Sequence, residues 1–249
     1  MVLALGTSGA WCSVALRWSA SRDEPGAARR AACVSEVVGN AHAERVMPMA
    51  RELLAQAGLD LRDVGLIAFD AGPGSFTGLR VGCGLAQGLA LGLSCPVVPV
   101  SSLLALAWPS RQWPTLAATD ARMGEVYHGV WRRADSERGP PDRPLVVQAP
   151  QELERFIAAF AEQAGGPWIA VGDAFARHPG LAEQAVAAGA RVIPDAFPAA
   201  DALAEIGEGA WLRGESIAPD AAAPLYVRDK VALDTAEQAA ARQRRGSLA

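Results

Sequence analysis

The residues best placed for chemistry surround a glycine-rich turn. Asp70 precedes the turn Gly72-Pro73-Gly74, and Ser75 follows it at the start of an apolar segment. A strand that passes through such a turn into a helix points free backbone N–H groups outward, which is typical of phosphate-binding loops. The side chains complete neither phosphate motif, because Leu79-Arg80 stands where a Walker loop has Lys and Ser/Thr, and Thr77 replaces the last glycine of the dinucleotide pattern.

A second acidic group lies in the segment 120–125, where Asp120 and Arg122 flank a predicted hairpin turn. They would face a cleft between two domains, or the Asp would accept backbone hydrogen bonds within the turn and the Arg would form a surface ion pair. Asp70, Asp120 and Arg122 are therefore weak candidates for cofactor binding. The three histidines show no metal-ligand spacing, and no HExxH or GxSxG motif occurs. We predict no catalytic residues and no metal site.

Composition narrows the class of protein. The 249 residues carry a formal charge of −4, with 51% hydrophobic and 20% charged residues, which indicates a globular chain with a large core. The first residues lack the basic region of a signal peptide, and we predict a soluble cytoplasmic protein without a membrane segment. The four cysteines have no paired spacing and should be reduced thiols. The negative charge argues against autonomous nucleic-acid binding.

Apolar periodicity predicts an α/β protein in which one order of elements occurs twice. The first half has strands at 2–6, 12–18 and 31–38, a helix at 42–57, a strand at 65–70, a helix at 76–93 and a strand at 96–100. A linker is predicted at 108–114. The second half has strands at 115–120, 125–132 and 144–148, a helix at 150–164, a strand at 168–172, a helix at 179–189, a strand at 191–193 and a helix at 199–213.

These elements give two βββαβαβ-type halves. The predicted domains are residues 1–108 and 109–228, with the last helix packing back on the first domain, followed by a partly disordered tail at 229–249.

The helix predicted at 76–93 contains glycine in unusual quantity, and each glycine costs about 1 kcal/mol relative to alanine. Gly78 and Gly82 lie on one face, whereas Gly84 and Gly88 lie well round the cylinder. A helix that is apolar on nearly all sides should cover its own sheet with one face and meet a second helix, from this chain or a partner, with the other. The alternative is a helix inside the core of the chain.

Four segments together resemble the TsaB family over about residues 1–228. They are 70–80, 100–103, 120–127 and 224–228. TsaB is the bacterial accessory subunit of the machinery that installs threonylcarbamoyl on an adenosine of certain tRNAs. The resemblance implies an actin-like ATPase fold of two ribonuclease-H-like halves. It also implies a TsaD-like catalytic partner, a TsaE-like ATPase, self-association as a homodimer, and contact with tRNA only through the complex.

The resemblance also assigns residues. It places partner contacts on helices 42–57 and 76–93, for which we predict the interface residues His42, Val46, Leu53, Gly74, Phe76, Gly78, Arg80, Val81, Gly82, Gly84, Gln87 and Gly88. Ser102 and Leu106 stand where catalytic relatives have metal-binding histidines, and Gly6 stands where the family commonly has an Asp. These differences favour a non-catalytic subunit with no cofactor of its own, although a nucleotide at the partner interface stays open. The alternatives are an ATP-dependent transferase or hydrolase acting alone through the interdomain cleft, or a metallopeptidase.

Overall fold

The computed structural model describes residues 1–20, 28–132, 141–142 and 144–227. The predicted tail at 229–249 lies outside the described residues, as do parts of the two polar loops that join the second and third strands of each half. The described chain forms two five-stranded sheets with helices packed on their faces.

The first sheet has the strand order β3-β2-β1-β4-β5. Its elements are β1 (Val2–Gly6), β2 (Trp11–Ser19), β3 (Arg29–Val37), α1 (His42–Ala57), β4 (Leu66–Gly72), α2 (Phe76–Leu93), β5 (Val97–Ser101) and α3 (Ser102–Ala107). The first three strands form an antiparallel meander, and β4 and β5 continue the sheet parallel to β1.

The second sheet repeats this arrangement with the order β10-β9-β6-β7-β8. The second half of the chain contains β6 (Thr115–Asp120), β7 (Val126–Trp131), β8 (Val146–Gln148), α4 (Pro150–Ala164), β9 (Trp168–Val171), α5 (Ala174–Arg177), α6 (Pro179–Ala187), β10 (Ala190–Ile193) and α7 (Ala200–Leu212). Again three antiparallel strands precede two parallel ones. The predicted duplication of element order and the actin-like fold of two ribonuclease-H-like halves are confirmed.

The first sheet is covered on both faces. β1 and β4 are buried along their whole length, as expected for strands with helices on either side. One face packs against α1 and α2, whereas α7, from the end of the chain, packs across the other face. Gly207 on α7 is needed there, because a Cβ atom at this position would come within 3.0 Å of the Ala68 side chain on β4.

The segment predicted as a linker packs into the fold at its first residue, whereas its later residues are exposed or half-buried. Trp108 begins a short 3-10 helix, Trp108–Ser110, and its side chain is buried against the α7 side of the first sheet. The two Trp-Pro pairs of this segment suggested an exposed connection, but the large apolar indole of Trp108 is more stable packed against the core than in water. The domain boundaries themselves stay a prediction.

Within the described residues, none of the helices combines the length and the apolar composition that a bilayer crossing requires.

Candidate docking surface on the glycine-rich helix

Helix α2 begins at a Ser cap and exposes one long ridge. The Ser75 hydroxyl accepts a hydrogen bond from the Gly78 backbone N–H at 3.3 Å, which satisfies one of the free donors of the first turn. Residues four apart lie on the same side of a helix. Those on the side toward the sheet are buried: Gly78, Gly82, Ala86 and Ala90. Those on the opposite side, named here the outer ridge, are exposed: Phe76, Arg80, Gly84, Gly88 and Gly92.

The buried glycines form a slot for the loop between β1 and β2. The Thr7 hydroxyl donates a hydrogen bond to the Gly78 carbonyl at 2.8 Å, and the Ser75 N–H donates to the Ser8 carbonyl at 2.6 Å. A Cβ atom at Gly78 would lie well inside 3.0 Å of the Thr7 carbonyl oxygen, and one at Gly82 would lie inside 3.0 Å of the Thr7 hydroxyl oxygen. These positions need glycine because the loop of the same chain touches the helix backbone.

This packing closes the loop that would have to hold a phosphate group. Thr7 and Ser8 are buried at 0% and 6% exposure, and Gly74 leaves room for Ser8 in the same way as Gly78 does for Thr7. An anion could reach these two residues only if α2 moved away. The residues present therefore do not fit a nucleotide phosphate at this loop in the isolated chain.

The outer ridge has the opposite character. Gly84, Gly88 and Gly92 have no heavy atom within 4 Å of an added Cβ position, so no part of the described chain approaches the helix there. Beside them, the Arg80 guanidinium stacks on the Phe76 ring at 3.5 Å from its centroid. Each of these three exposed glycines lowers the stability of the helix relative to alanine, and no contact within the described chain compensates for that loss.

The C-terminal part of the described chain runs along one flank of α2. The Gln87 side chain donates to the Ala222 carbonyl at 3.0 Å, and the Leu225 N–H donates to the Ala71 carbonyl at 2.6 Å. The Tyr226 ring lies 6.2 Å from the Phe76 ring. Tyr226 therefore extends the outer ridge, and the sequence analysis missed it as a surface residue. The sequence feature that could have identified Tyr226 is an aromatic side chain after the last predicted helix.

The twelve predicted interface residues divide into three groups by position. His42, Val46 and Leu53 lie in the core under α1, and their exposure does not exceed 5%. Gly74, Gly78 and Gly82 form the slot for the β1–β2 loop. These six contact their own chain, because an apolar helix face first covers its own sheet. The assignment of all twelve residues to a partner interface stays a prediction. Val81 and Gln87 are half-buried, and Phe76, Arg80, Gly84 and Gly88 are exposed.

Asp70 is fully buried at the end of β4. Its Oδ1 accepts hydrogen bonds from the Ser102 hydroxyl and, at 3.2 Å, from the Gly72 N–H. Its Oδ2 has no hydrogen-bond partner in the part of the chain that the structure describes. Burial raises the pKa of Asp70 from 3.8 to about 6, against the lowering effect of these hydrogen bonds. The group ties the end of β4 to the start of α3.

The positions aligned with metal-binding histidines offer no ligand set. Ser102 uses its hydroxyl on Asp70, and Leu106 is 1% exposed in the apolar core between α3 and the second sheet. Over the described residues, no three His, Cys, Asp or Glu side chains are grouped so that they could hold a metal ion. Neither a lone serine nor a leucine fits the nitrogen-rich site of a zinc-type centre.

Asp120 and Arg122 lie at the tip of the β6–β7 hairpin. The Asp120 carboxylate accepts a hydrogen bond from the Arg122 N–H at 3.1 Å and lies 3.7 and 3.8 Å from the guanidinium nitrogens of Arg122 and Arg177. Its own N–H donates to Asp173 at 3.0 Å. The Arg122 side chain is 77% exposed. Among the described residues Asp120 and Asp70 share no hydrogen-bond partner.

Comparison with known proteins gives a consistent result along nearly the whole chain. The family model TsaD, tRNA N6-adenosine threonylcarbamoyltransferase, matches residues 32–232. The tRNA threonylcarbamoyladenosine biosynthesis protein TsaB of Escherichia coli (strain K12) is 34% identical over 238 residues, covering 93% of this chain and 96% of that protein. The protein of the same description from Haemophilus influenzae is 32% identical over 238 residues, covering 92% and 94%.

A solved structure agrees. It is a Pseudomonas aeruginosa protein described as uncharacterized with similarity to peptidase YeaZ. It superposes with a TM-score of 0.75 at 34% identity, covering 91% of this chain and 99% of that one.

Proposed function

Because the chain belongs to the TsaB family of tRNA threonylcarbamoyladenosine biosynthesis proteins, we propose that it is the non-catalytic subunit of the tRNA N6-threonylcarbamoyladenosine transferase complex. In this role it binds a TsaD-like catalytic subunit through the outer ridge of α2 and holds that subunit in its active arrangement. The contribution is a shift of the partner's conformational population and not bond chemistry.

The observation that carries this proposal is the open glycine ridge. Gly84 and Gly88 have no neighbour within 4 Å of an added Cβ position, and their absent side chains let another backbone approach closely. Phe76 and Tyr226, which are 44% and 48% exposed, provide apolar anchors at one end of the ridge. Aromatic residues with a neighbouring Arg are typical of the energetic centre of protein interfaces.

The same ridge would serve self-association when the partner is absent, which makes the homodimer and the heterodimer alternatives on one surface. A TsaE-like ATPase would complete the assembly on the catalytic subunit. The formal charge of −4 supports only indirect contact with tRNA. A nucleotide would have to bind at the joint with the partner, because the β1–β2 loop is filled by α2.

The ridge is tested by placing a large side chain on it. Gly84→Leu and Gly88→Leu should each weaken binding of a TsaD-like protein by roughly tenfold to a hundredfold, because the added side chain separates the two backbones. Leucine also favours the helix over glycine, so the variants should fold. Ala159→Leu on the exposed side of α4 is the matched control. Binding is measured by isothermal titration calorimetry.

Two results would contradict the proposal. The first is unchanged partner affinity in both glycine variants. The second concerns the alternative of an enzyme acting alone: turnover of ATP by the purified chain without a partner would favour a transferase or hydrolase. A tRNA modification assay with and without this chain, run with the TsaD-like and TsaE-like proteins, distinguishes these two functions.

A further inference from the structure

A cavity of about 310 Å³ lies on the α7 side of the first sheet, on the face opposite to α2. Its walls come from α7, from the 3-10 segment that begins at Trp108, and from strands β2 and β3. Apolar side chains form part of the lining: Leu16, Ala31, Trp108, Pro109, Ala202 and Ala204. The volume lies at the lower end of the range that is typical of small-molecule sites. The cavity is therefore large enough for a small organic ligand.

One part of the lining carries an excess of positive charge. Glu208 on α7 is buried and lies 2.7 Å from Arg17 and 2.9 Å from Arg29. Because two guanidinium groups share this one carboxylate, the group has a net charge of one positive unit. Arg17 lines the cavity, and its side chain is 26% exposed. The cavity is thus positive on the side of β2.

Another part of the lining carries an excess of negative charge. Asp201, in the first turn of α7, lines the cavity about 10 Å from Glu208 along the helix axis. Within the described ranges Asp201 forms no ion pair, and its Oδ1 accepts a hydrogen bond from the Ala202 N–H at 2.8 Å. The helix dipole favours a carboxylate at this position. Glu205, one turn along the helix, differs because it pairs with Arg111 at 3.1 Å.

Trp108 adds a hydrogen-bond donor that lacks an acceptor. The residue lines the cavity and is 9% exposed. Its indole Nε1–H is buried, and no acceptor for it exists in the part of the chain that the structure describes. Arg111 holds the residue in place, since its guanidinium lies 4.9 Å from the centre of the Trp108 ring and donates to the Trp108 carbonyl at 3.2 Å. A buried donor without a partner destabilises a fold, and an acceptor oxygen bound against Trp108 would satisfy it.

We propose that this cavity binds a small zwitterion, an α-amino acid with an apolar side chain. The ammonium group of the ligand pairs with Asp201. Its carboxylate lies against Arg17 and accepts the hydrogen bond of the Trp108 Nε1–H, and its side chain contacts the apolar part of the lining. A ligand with a single charge would leave either the positive or the negative part of the lining without a counter-charge. Hydrogen bonds to charged groups are the stronger ones, so both charges of the ligand should contribute to affinity.

The proposed site is independent of the docking ridge, because the cavity and α2 lie on opposite faces of the first sheet. A molecule in the cavity would join α7 to β2 and to the segment at Trp108. Binding should therefore stabilise the folded chain. The site adds recognition of a small molecule to a chain whose proposed function is to bind another protein.

The first test compares three probes of the same shape. L-Leucine carries both charges, isocaproate lacks the ammonium group, and isoamylamine lacks the carboxylate. L-Leucine should bind the full chain with a dissociation constant on the order of 1 mM, as measured by isothermal titration calorimetry. At about 20 mM it should raise the Tm by about 4 to 7 °C. Isocaproate and isoamylamine should each bind at least about tenfold more weakly.

The second test changes the lining. Asp201→Asn keeps an acceptor for the Ala202 N–H, so the start of α7 should still fold. It should weaken binding of L-leucine by about tenfold or more, and the variant should bind isocaproate at least as tightly as L-leucine. Trp108→Phe keeps a ring and removes the donor, so it should weaken L-leucine binding and leave isoamylamine binding unchanged. Asp220→Asn, at an exposed position of the 3-10 helix Pro219–Ala221, is the matched control.

Three outcomes would overturn the proposal. One is a wild-type chain that does not bind L-leucine at the highest concentration used. Another is equal affinity of the wild-type chain for L-leucine and isocaproate, because that cavity would recognise an anion and not a zwitterion. The third is unchanged L-leucine binding in Asp201→Asn. Gly84→Leu should still bind L-leucine, and Asp201→Asn should still bind a TsaD-like protein, so failure of this site and failure of the docking ridge give different results.

Discussion

Alanine at Gly84 and at Gly78, six residues apart on α2, should change stability in opposite directions. Gly84 has no atom within 4 Å of an added Cβ position, so Gly84→Ala gains the helix propensity of alanine, about 1 kcal/mol, at no cost in packing. Gly78→Ala gains the same amount but drives a methyl group into the Thr7 carbonyl oxygen. Overpacking costs typically about 1 to 3 kcal/mol.

The upper end of that range applies at Gly78. The atom in the way belongs to the main chain and cannot rotate aside, so either α2 or the β1–β2 loop must shift. The net loss of stability is then about 2 kcal/mol, and the two variants should differ by about 3 kcal/mol in free energy of unfolding. For a chain of this length each kcal/mol corresponds to a change in Tm of about 2 to 4 °C.

The assay is urea unfolding followed by far-ultraviolet circular dichroism, at a concentration low enough to limit self-association. Gly88→Ala should repeat the gain of Gly84→Ala. If Gly84→Ala lost stability as Gly78→Ala does, the outer ridge would be packed within the isolated chain. If Gly78→Ala gained stability, the slot for the β1–β2 loop would not exist. Either result would refute the division of α2 into a buried and an open ridge.

Two further predictions concern buried carboxylates. Because the pKa of Asp70 is raised, the folded state binds more protons than the unfolded state between about pH 4 and pH 6. The contribution of Asp70 to the free energy of unfolding therefore falls by on the order of 3 kcal/mol as the pH rises across that window. Asp70→Asn should remove this difference between pH 4 and pH 8 in urea unfolding; an unchanged slope would contradict the assignment. Glu208 on α7, 7% exposed, lies 2.7 Å from Arg17 and 2.9 Å from Arg29. Because both arginines are partly exposed, Glu208→Gln should lower the free energy of unfolding by only about 1 to 2 kcal/mol. Thermal unfolding measures this loss with Arg191→Glu, at an exposed position of β10, as a control, and a loss clearly smaller or larger would contradict the prediction.

The sequence was sufficient for the elements of the fold because their signals are local. Ser75 and the apolar run after it predict α2 from 76 to 93, and the structure has the same bounds. The repeated order of strands and helices predicts two similar halves without any repeat in the sequence itself. The short helix α5 (Ala174–Arg177) was not predicted. Neither was the burial of Trp108, because burial depends on what packs over a residue, and α7 is nearly one hundred residues away.

The docking surface was less predictable because glycine has no side chain whose polarity could indicate whether the residue is exposed or buried. Gly78 and Gly82 on one ridge, and Gly84 and Gly88 on the other, are indistinguishable as residue types. The polar stripe of this helix, Arg80 and Gln87, is too narrow to identify the outer face. Only the position of Thr7 separates them. His42 belongs to the helix that the family resemblance assigned to the interface, but a resemblance between helices does not say which face is exposed.

The placement of α7 has a consequence for synthesis on the ribosome. The face of the first sheet that carries Val2, Ala4 and Leu66 is completed only by Leu203 and Ile206, near the end of the chain. A nascent polypeptide thus holds an apolar surface open while about one hundred more residues are translated. Chaperones that recognise exposed hydrophobic strands can bind this surface during that interval. A message truncated before residue 200 would yield a product without α7, so this face of the first sheet would stay exposed.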